Sequence, residues 1–149
     1  MDKYIGTKLI EAEPAVRKDE KIYLEKEVPL IDQTFEKGYK VKYPDGYISW
    51  SPKDVFEEAY RQIDSMNFGL AIESMKKGFK VARKGWNGKE QYIELATNIS
   101  YKNSRKEEIN AEHKDIGNKA IAFIGTSGVQ LGWLASQADM LAEDWHIVE

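Results

Sequence analysis

Two short stretches concentrate the side chains that can do chemistry. Arg83-Lys84-Gly85-Trp86-Asn87-Gly88 places a guanidinium, a large π surface and an amide within one tight turn. Trp133-Leu134-Ala135-Ser136-Gln137 repeats the theme. Nucleobases need π surfaces, and phosphates need Arg, Lys or helix N-termini. Both stretches therefore read as candidates for a nucleotide-like ligand. The same tryptophans have a plain structural reading as core anchors, the usual role of this residue. Trp86, however, stands between Gly85 and Gly88 at a turn, where burial in the core of its own subunit is harder. A tryptophan at a hairpin tip often packs on another chain or stacks on a ligand.

Other chemistries are poorly supplied. The absence of cysteine excludes disulfides, thiolate metal sites and cysteine nucleophiles. The two histidines, His113 and His146, lack the spacing of a zinc site. Gly125-Thr126-Ser127-Gly128 lacks the Gly-Lys-Ser/Thr ending of a phosphate loop and reads as a β-turn. No strained Gly-x-Ser-x-Gly turn supports a serine nucleophile. Glu107-Glu108 and Glu143-Asp144 read as solvated charge, and Glu73 with Lys77 as a surface pair. No catalytic residue, metal site or cofactor is expected, and the protein does not read as an enzyme.

The 149-residue chain is long enough for one ordinary domain or two very small ones. With 42% hydrophobic and 32% charged residues it is too apolar for disorder and too charged for a membrane protein. No run approaches the roughly 18 apolar residues of a membrane span. The opening Met1-Asp2-Lys3-Tyr4 has neither a basic leader nor an apolar stretch, so no signal peptide is expected. Residues 1–66 carry 11 basic and 14 acidic side chains, and residues 67–149 carry 11 of each. Neither half is suited to non-specific nucleic-acid binding.

Certain elements must position these residues. Tyr4–Ile10 reads as a short strand, and the charged stretch Glu11–Glu27, with Pro14 inside it, as loop or a short amphipathic element. Tyr39–Tyr43, the turn at Pro44-Asp45-Gly46 and Tyr47–Trp50 read as a hairpin. Ser51 and Pro52 open a helix as cap and first residue, with Val55, Phe56, Ala59, Tyr60 and Ile63 on one face. Asn67 caps a second helix that runs to Lys77 and stops at Gly78, with Phe68, Ala71, Ile72 and Met75 as its apolar stripe. Phe79–Arg83 and Gln91–Ala96 read as strands joined through the Asn87-Gly88 turn. Thr97–Lys119 has no clear period and reads as a long loop or arm. Ala120–Ile124 and Val129–Leu134 read as strands, and Ser136–Asp139 as a capping box opening a helix to about Asp144. Trp145–Val148 is a closing strand, and Met140, Leu141 and Trp145 read as core. The fold class is α+β, with small antiparallel β-sheets and short helices in two modules, residues 1–65 and 66–149.

Three stretches carry a family resemblance: Met66–Glu73, Lys77–Lys89 and Trp133–Trp145. Together they resemble a phage and prophage family whose members include the second type of Thoeris anti-defence protein. Some relatives are described as anti-CRISPR proteins against type II Cas9. The match covers residues 66–149 and keeps the long motifs in order. The N-terminal part, with Tyr4–Lys8 and Tyr43–Lys53, resembles a module that precedes various small phage proteins and has no assigned activity.

The resemblance implies a sponge: a protein that binds cyclic ADP-ribose isomers (glycocyclic forms) made by TIR-domain proteins and holds them without degrading them. It also implies cyclic dinucleotides as ligands of some members, a homotetramer with pockets between subunits, and the cytoplasm of an infected bacterial host as the place of action. In such a site Trp86 or Trp133 would stack on a base. Arg83 and Lys84 would neutralise phosphate. Asn87, Ser136, Gln137 and Asp139 would hydrogen-bond ribose hydroxyls or base edges. The helix start at Ser136 would suit a phosphate, although the Asp139 carboxylate opposes one there. The alternative from another class is a protein–protein inhibitor of a CRISPR nuclease, with the acidic N-terminal half facing a DNA-binding groove.

Overall fold

The computed structural model describes residues 1–86, 90–115 and 119–149. Asn87 and the Asn87-Gly88 turn lie outside the described residues. The chain forms two compact units, Met1–Arg61 and Gln62–Glu149. The α+β class with antiparallel sheets is what forms. Among the described residues no helix is long and apolar enough to cross a membrane.

The first unit is a four-stranded antiparallel sheet. Its strands are β1 (Glu11–Lys18), β2 (Lys21–Leu24), β3 (Glu36–Lys42) and β4 (Ile48–Pro52), in the order β2-β1-β3-β4. Two expectations fail here. Tyr4–Ile10 forms no strand, and the charged stretch from Glu11 is the β1–β2 hairpin, followed by a 3₁₀ turn at Glu25–Glu27. Cross-strand partners override the weak propensity of β1. Glu11 faces Lys42, Glu13 faces Lys40 and Arg17 faces Glu36; the outer two close as ion pairs of 3.2 and 2.7 Å. Opposite charges so placed contribute about 0.2–1 kcal/mol per pair. Pro14 is tolerated because β2 pairs only with Ala15–Lys18, which leaves β1 an edge strand at the proline.

Helix α1 (Lys53–Ala59) starts later than the sequence indicates. Ser51 and Pro52 stay in β4, and Pro52 is the cap residue, with no side-chain capping bond. The helix buries no residue, and Val55 is exposed. Phe56 instead stacks between Tyr39 and Tyr60, at ring separations of 4.1 and 4.9 Å. The helix ends at Ala59, so Ile63 never joins its face. Ala15, Val16 and Val41 are buried. At Gly38 a Cβ would meet the Ser51 carbonyl and lie 2.6 Å from the Trp50 ring.

The second unit opens with α2 (Phe68–Lys76), capped as its sequence dictates. The Asn67 side chain accepts from Leu70 N at 2.9 Å, and Gly78 ends the helix at φ +96. Ala71 and Met75 of the stripe are buried, with Phe68 and Ile72 packed beside them. Strands β5 (Lys80–Arg83) and β6 (Tyr92–Ala96) follow, then the short pair β7 (Tyr101–Lys102) and β8 (Glu108–Ile109). The chain ends with β9 (Ala120–Gly125), β10 (Gly128–Leu131), α3 (Gln137–Met140) and β11 (Trp145–Val148). The main sheet runs β10-β9-β6-β5-β11.

The expected pairing of β5 with β6 forms, antiparallel, with Val81 opposite Ile93. On their other sides β6 pairs along its length with β9, and β5 with β11. The supposed loop Thr97–Lys119 contains the β7–β8 ribbon. Strand β10 stops at Leu131, because Gly132 turns the chain at φ +83, and α3 is one turn long. Met140 and Leu141 are therefore exposed at 40% and 78%, not core. Trp145 is fully buried, with Met66, Ala71, Met75, Val81 and Ile93. Met66 and Trp145 exchange backbone bonds of 2.8 and 3.1 Å, which ties the start of this unit to its last strand.

Candidate functional site

Arg83 ends β5 directly opposite Trp145 of β11. Its Nε donates to Asp144 Oδ1 at 2.9 Å and its Nη2 to Asp144 Oδ2 at 3.5 Å. Its Nη1 donates to Asp139 Oδ1 at 3.0 Å. One partly buried guanidinium thus joins β5, α3 and the approach to β11. The charge environment follows. The Asp144 carboxylate and then that of Asp139 hold Arg83 above its usual range. Asp144 is lowered first by Arg83, against its own burial. Burial pushes Asp139 up, but the bonds from Ser136, Arg83 and the Trp86 side chain outweigh it and leave its pKa lowered. The reading of Glu143-Asp144 as solvated charge is wrong for Asp144, which is bound to Arg83.

Ser136 and Asp139 form the capping box. Ser136 Oγ accepts from Asp139 N at 3.1 Å, and Asp139 Oδ2 accepts from Ser136 N at 3.0 Å. The start of α3 is thus capped by its own carboxylate, whose charge opposes an anion there. Ser136 and Gln137 are exposed.

The tryptophans meet in one cluster. The Trp86 ring lies 5.4 Å from Trp145, 5.6 Å from Phe123 and 5.9 Å from Trp133, edge to face in each case. Trp133 and Trp145 stand 6.2 Å apart at 80°. Such offset geometry follows the ring quadrupole. The expectation that Trp86 is hard to bury within its own chain is overturned: it packs against the core formed by Met66, Ala71, Ile93 and Trp145. Its backbone N–H donates to the Arg83 carbonyl at 3.3 Å, a tight turn that folds the ring back over the sheet. Trp133 is set by its N–H on the Ile121 carbonyl at 3.0 Å, and Trp145 Nε1 donates to the Asp139 carbonyl at 2.9 Å. Trp86 and Trp133 remain only partly buried.

Of the residues singled out in the sequence, the structure brings together Arg83, Trp86, Trp133, Ser136 and Asp139. Lys84 is exposed beside them, its N–H on the Asp144 carbonyl at 3.3 Å. Asn87 lies outside the described residues. The sequence reading missed Phe123 and Asp144. Asp144 had a signal: it precedes the tryptophan of a strand that pairs with the Arg83 strand. The histidines stand apart from this cluster. His113 is exposed, and His146 alternates with Trp145 along β11, so it projects to the other face of the sheet. Among the described residues no group of three or more His, Asp or Glu is placed to hold a metal.

Residues 66–148 match the family described as Thoeris anti-defense 2-like domain. The chain is also similar to Thoeris anti-defense 2 of Bacillus phage SP01, with 40% identity over 88 residues, 56% of this chain and 94% of that protein. Every residue of the cluster falls inside the matched segment.

Proposed function

The chain belongs to the Thoeris anti-defense 2-like family, and from that premise we propose that it blocks Thoeris immunity by sequestering a cyclic ADP-ribose-type signal intact. The carrying observation is the aromatic surface of the partly buried Trp86 and Trp133, whose rings stand 5.9 Å apart, with the exposed Lys84 two residues before Trp86. A base stacks on such a surface, and Lys84 supplies charge for a pyrophosphate. The exposed Gln137, four residues after Trp133, offers an amide for hydroxyls or base edges. Arg83, with three N–H groups on two carboxylates, builds the frame of the site.

Storage without breakdown fits the chemistry of the cluster. A hydrolase needs a proton donor and a base poised near neutral pH. Asp139 and Asp144 are both lowered and committed to Arg83, so they stay ionised and occupied. The site of action under this reading is the cytoplasm of the infected bacterium.

The assembly implied is homo-oligomeric, a tetramer by resemblance, with pockets completed between copies. Val129, Leu131, Leu134 and Leu141 support self-association: they are 47–89% exposed within one short stretch of chain.

The test is thermal shift against cyclic ADP-ribose isomers and cyclic dinucleotides, followed by recovery of the ligand after boiling. A native-state ligand at a hundredfold excess over Kd stabilises by about 2.7 kcal/mol. Stabilisation by one isomer, recovered unchanged, is the expected result. A recovered product of hydrolysis would replace the sponge by an enzyme. No shift across the panel would point to a protein target such as a nuclease.

A further inference from the structure

Strand β9 carries Phe123 in register between Ile93 of β6 and Gln130 of β10. Residues two apart on a strand share one face, so position 125 lies on the same side of the sheet as the Phe123 ring. The ring leans along its own strand into that position. A Cβ at Gly125 would stand 2.6 Å from ring carbon Cε1 and 3.3 Å from Cζ. Carbon atoms pack best at about 3.5–4.0 Å, so the ring and a Cβ cannot both keep these places.

The backbone gives no other reason for a glycine there. Gly125 pairs with Gly128 across the Thr126-Ser127 turn. Gly128 has φ +105, and a Cβ on it would meet nothing within 4 Å. Gly125 lies outside the left-handed region. The turn thus requires its glycine at 128, and the aromatic ring requires the one at 125. A glycine within a strand weakens it and often marks a close approach by another group. Here the approaching group is Phe123.

Phe123 in turn bounds Trp86. Their rings meet edge to face at 5.6 Å. Trp86 also stands 5.4 Å from Trp145, which is fully buried, and 5.9 Å from Trp133. Close-packed side chains transmit displacement, so a shift of the Phe123 ring passes to Trp86. We infer that Gly125 is a positioning residue for Trp86: by leaving the place of a Cβ to the Phe123 ring, it sets the tilt of Trp86 against Trp133. The tilt is a property of the fold. Its effect on a ligand rests on the reading that Trp86 and Trp133 hold one.

A double-mutant cycle in the full chain tests this, with Gly125→Ala, Phe123→Leu and the two together. Gly128→Ala is the control for an effect of the turn. Near-UV circular dichroism reads the packing of the tryptophans. Calorimetry reads Kd for the cyclic ADP-ribose isomer that gives the largest thermal shift. Gly125→Ala is expected to change the tryptophan bands and to weaken Kd roughly tenfold, the order of one lost base stack. Combined with Phe123→Leu, the same substitution is expected to change neither, because the ring it meets is gone. Gly128→Ala is expected to lower Tm and leave the bands as they are.

An effect of Gly125→Ala that is equal with and without Phe123→Leu, or unchanged bands, would overturn the inference. A like change of the bands in Gly128→Ala would also overturn it and assign the effect to the turn. Should Gly125→Ala fail to fold, folding restored by Phe123→Leu supports the clash, and folding not restored overturns it. Bands altered as expected with Kd unmoved would uphold the positioning and remove Trp86 from the ligand. If the unmodified chain binds no isomer, the ligand reading falls, and the dichroism cycle alone decides the role of Gly125.

Discussion

Arg83 and Asp144, 61 residues apart in sequence, meet through the Nε–Nη2 edge of the guanidinium, at 2.9 and 3.5 Å. The contact closes a charged clamp next in sequence to Trp145, which faces Arg83 across the sheet. It also decides the role of Arg83 in the fold: the guanidinium orients α3 and the approach to β11. Arg83→Ala leaves two carboxylates facing each other and is expected to cost about 1–2 kcal/mol, below the value for a fully buried pair because both side chains keep solvent contact. Urea denaturation measures it, and a change within error would remove the clamp from the stability of this unit.

The same clamp predicts an acid limb. Asp139 and Asp144 have folded-state pKa values below their unfolded ones. Their contribution is complete above the unfolded value, about 4 for aspartate, and is lost as pH falls through the folded values. Tm is therefore expected to be level near neutrality and to fall below about pH 4, less steeply in Asp144→Asn. Equal acid limbs in the two proteins would assign the fall to other carboxylates.

Trp86 combines two roles that one substitution confounds. Trp86→Ala removes a partly buried ring from contact with Phe123, Trp133 and Trp145, and is expected to cost about 2–3 kcal/mol, somewhat under a full core deletion. Trp86→Phe keeps most of the packing while reducing the stacking surface. The proposed site predicts at least a tenfold weaker Kd for the phenylalanine variant, by calorimetry, with Tm nearly unchanged. Unaltered affinity would remove Trp86 from the ligand.

The β1–β2 turn is strained by its own side chains. Asp19 and Glu20 both adopt positive φ, 51 and 64, as a two-residue hairpin turn demands. Glycine has no Cβ penalty there, so Glu20→Gly is expected to stabilise the first unit by about 0.5–1 kcal/mol. A lower urea midpoint would show that the glutamate makes a compensating contact.

Gly38 predicts the opposite sign. The Trp50 ring and the Ser51 carbonyl occupy the space of a Cβ, so Gly38→Ala forces the ring or the strand to move. Overpacking of this kind costs about 1–3 kcal/mol. Circular dichroism melts give the value, and a rise in Tm would mean that Trp50 moves aside freely.

What the sequence by itself determined were the features closed over a few residues. The Asn67 cap, the Gly78 stop and the Ser136–Asp139 box are written locally, because donor and acceptor lie within one turn. The α2 stripe is local for the same reason: helical periodicity alone selects its buried face. The residues of the candidate site were legible as types, through Arg and Trp in short motifs. Their arrangement was not. Strand β1 exists because Lys42 and Glu36 face it from β3, so its own propensity misled. Trp86 turned inward because Phe123, Trp133 and Trp145 come from three distant segments to receive its ring. Asp144 meets Arg83 because β11 pairs with β5, and Met140 and Leu141 stayed outside because α3 ends after one turn. In each case the deciding partner lies far along the chain, and only the closed sheet brings it within contact distance.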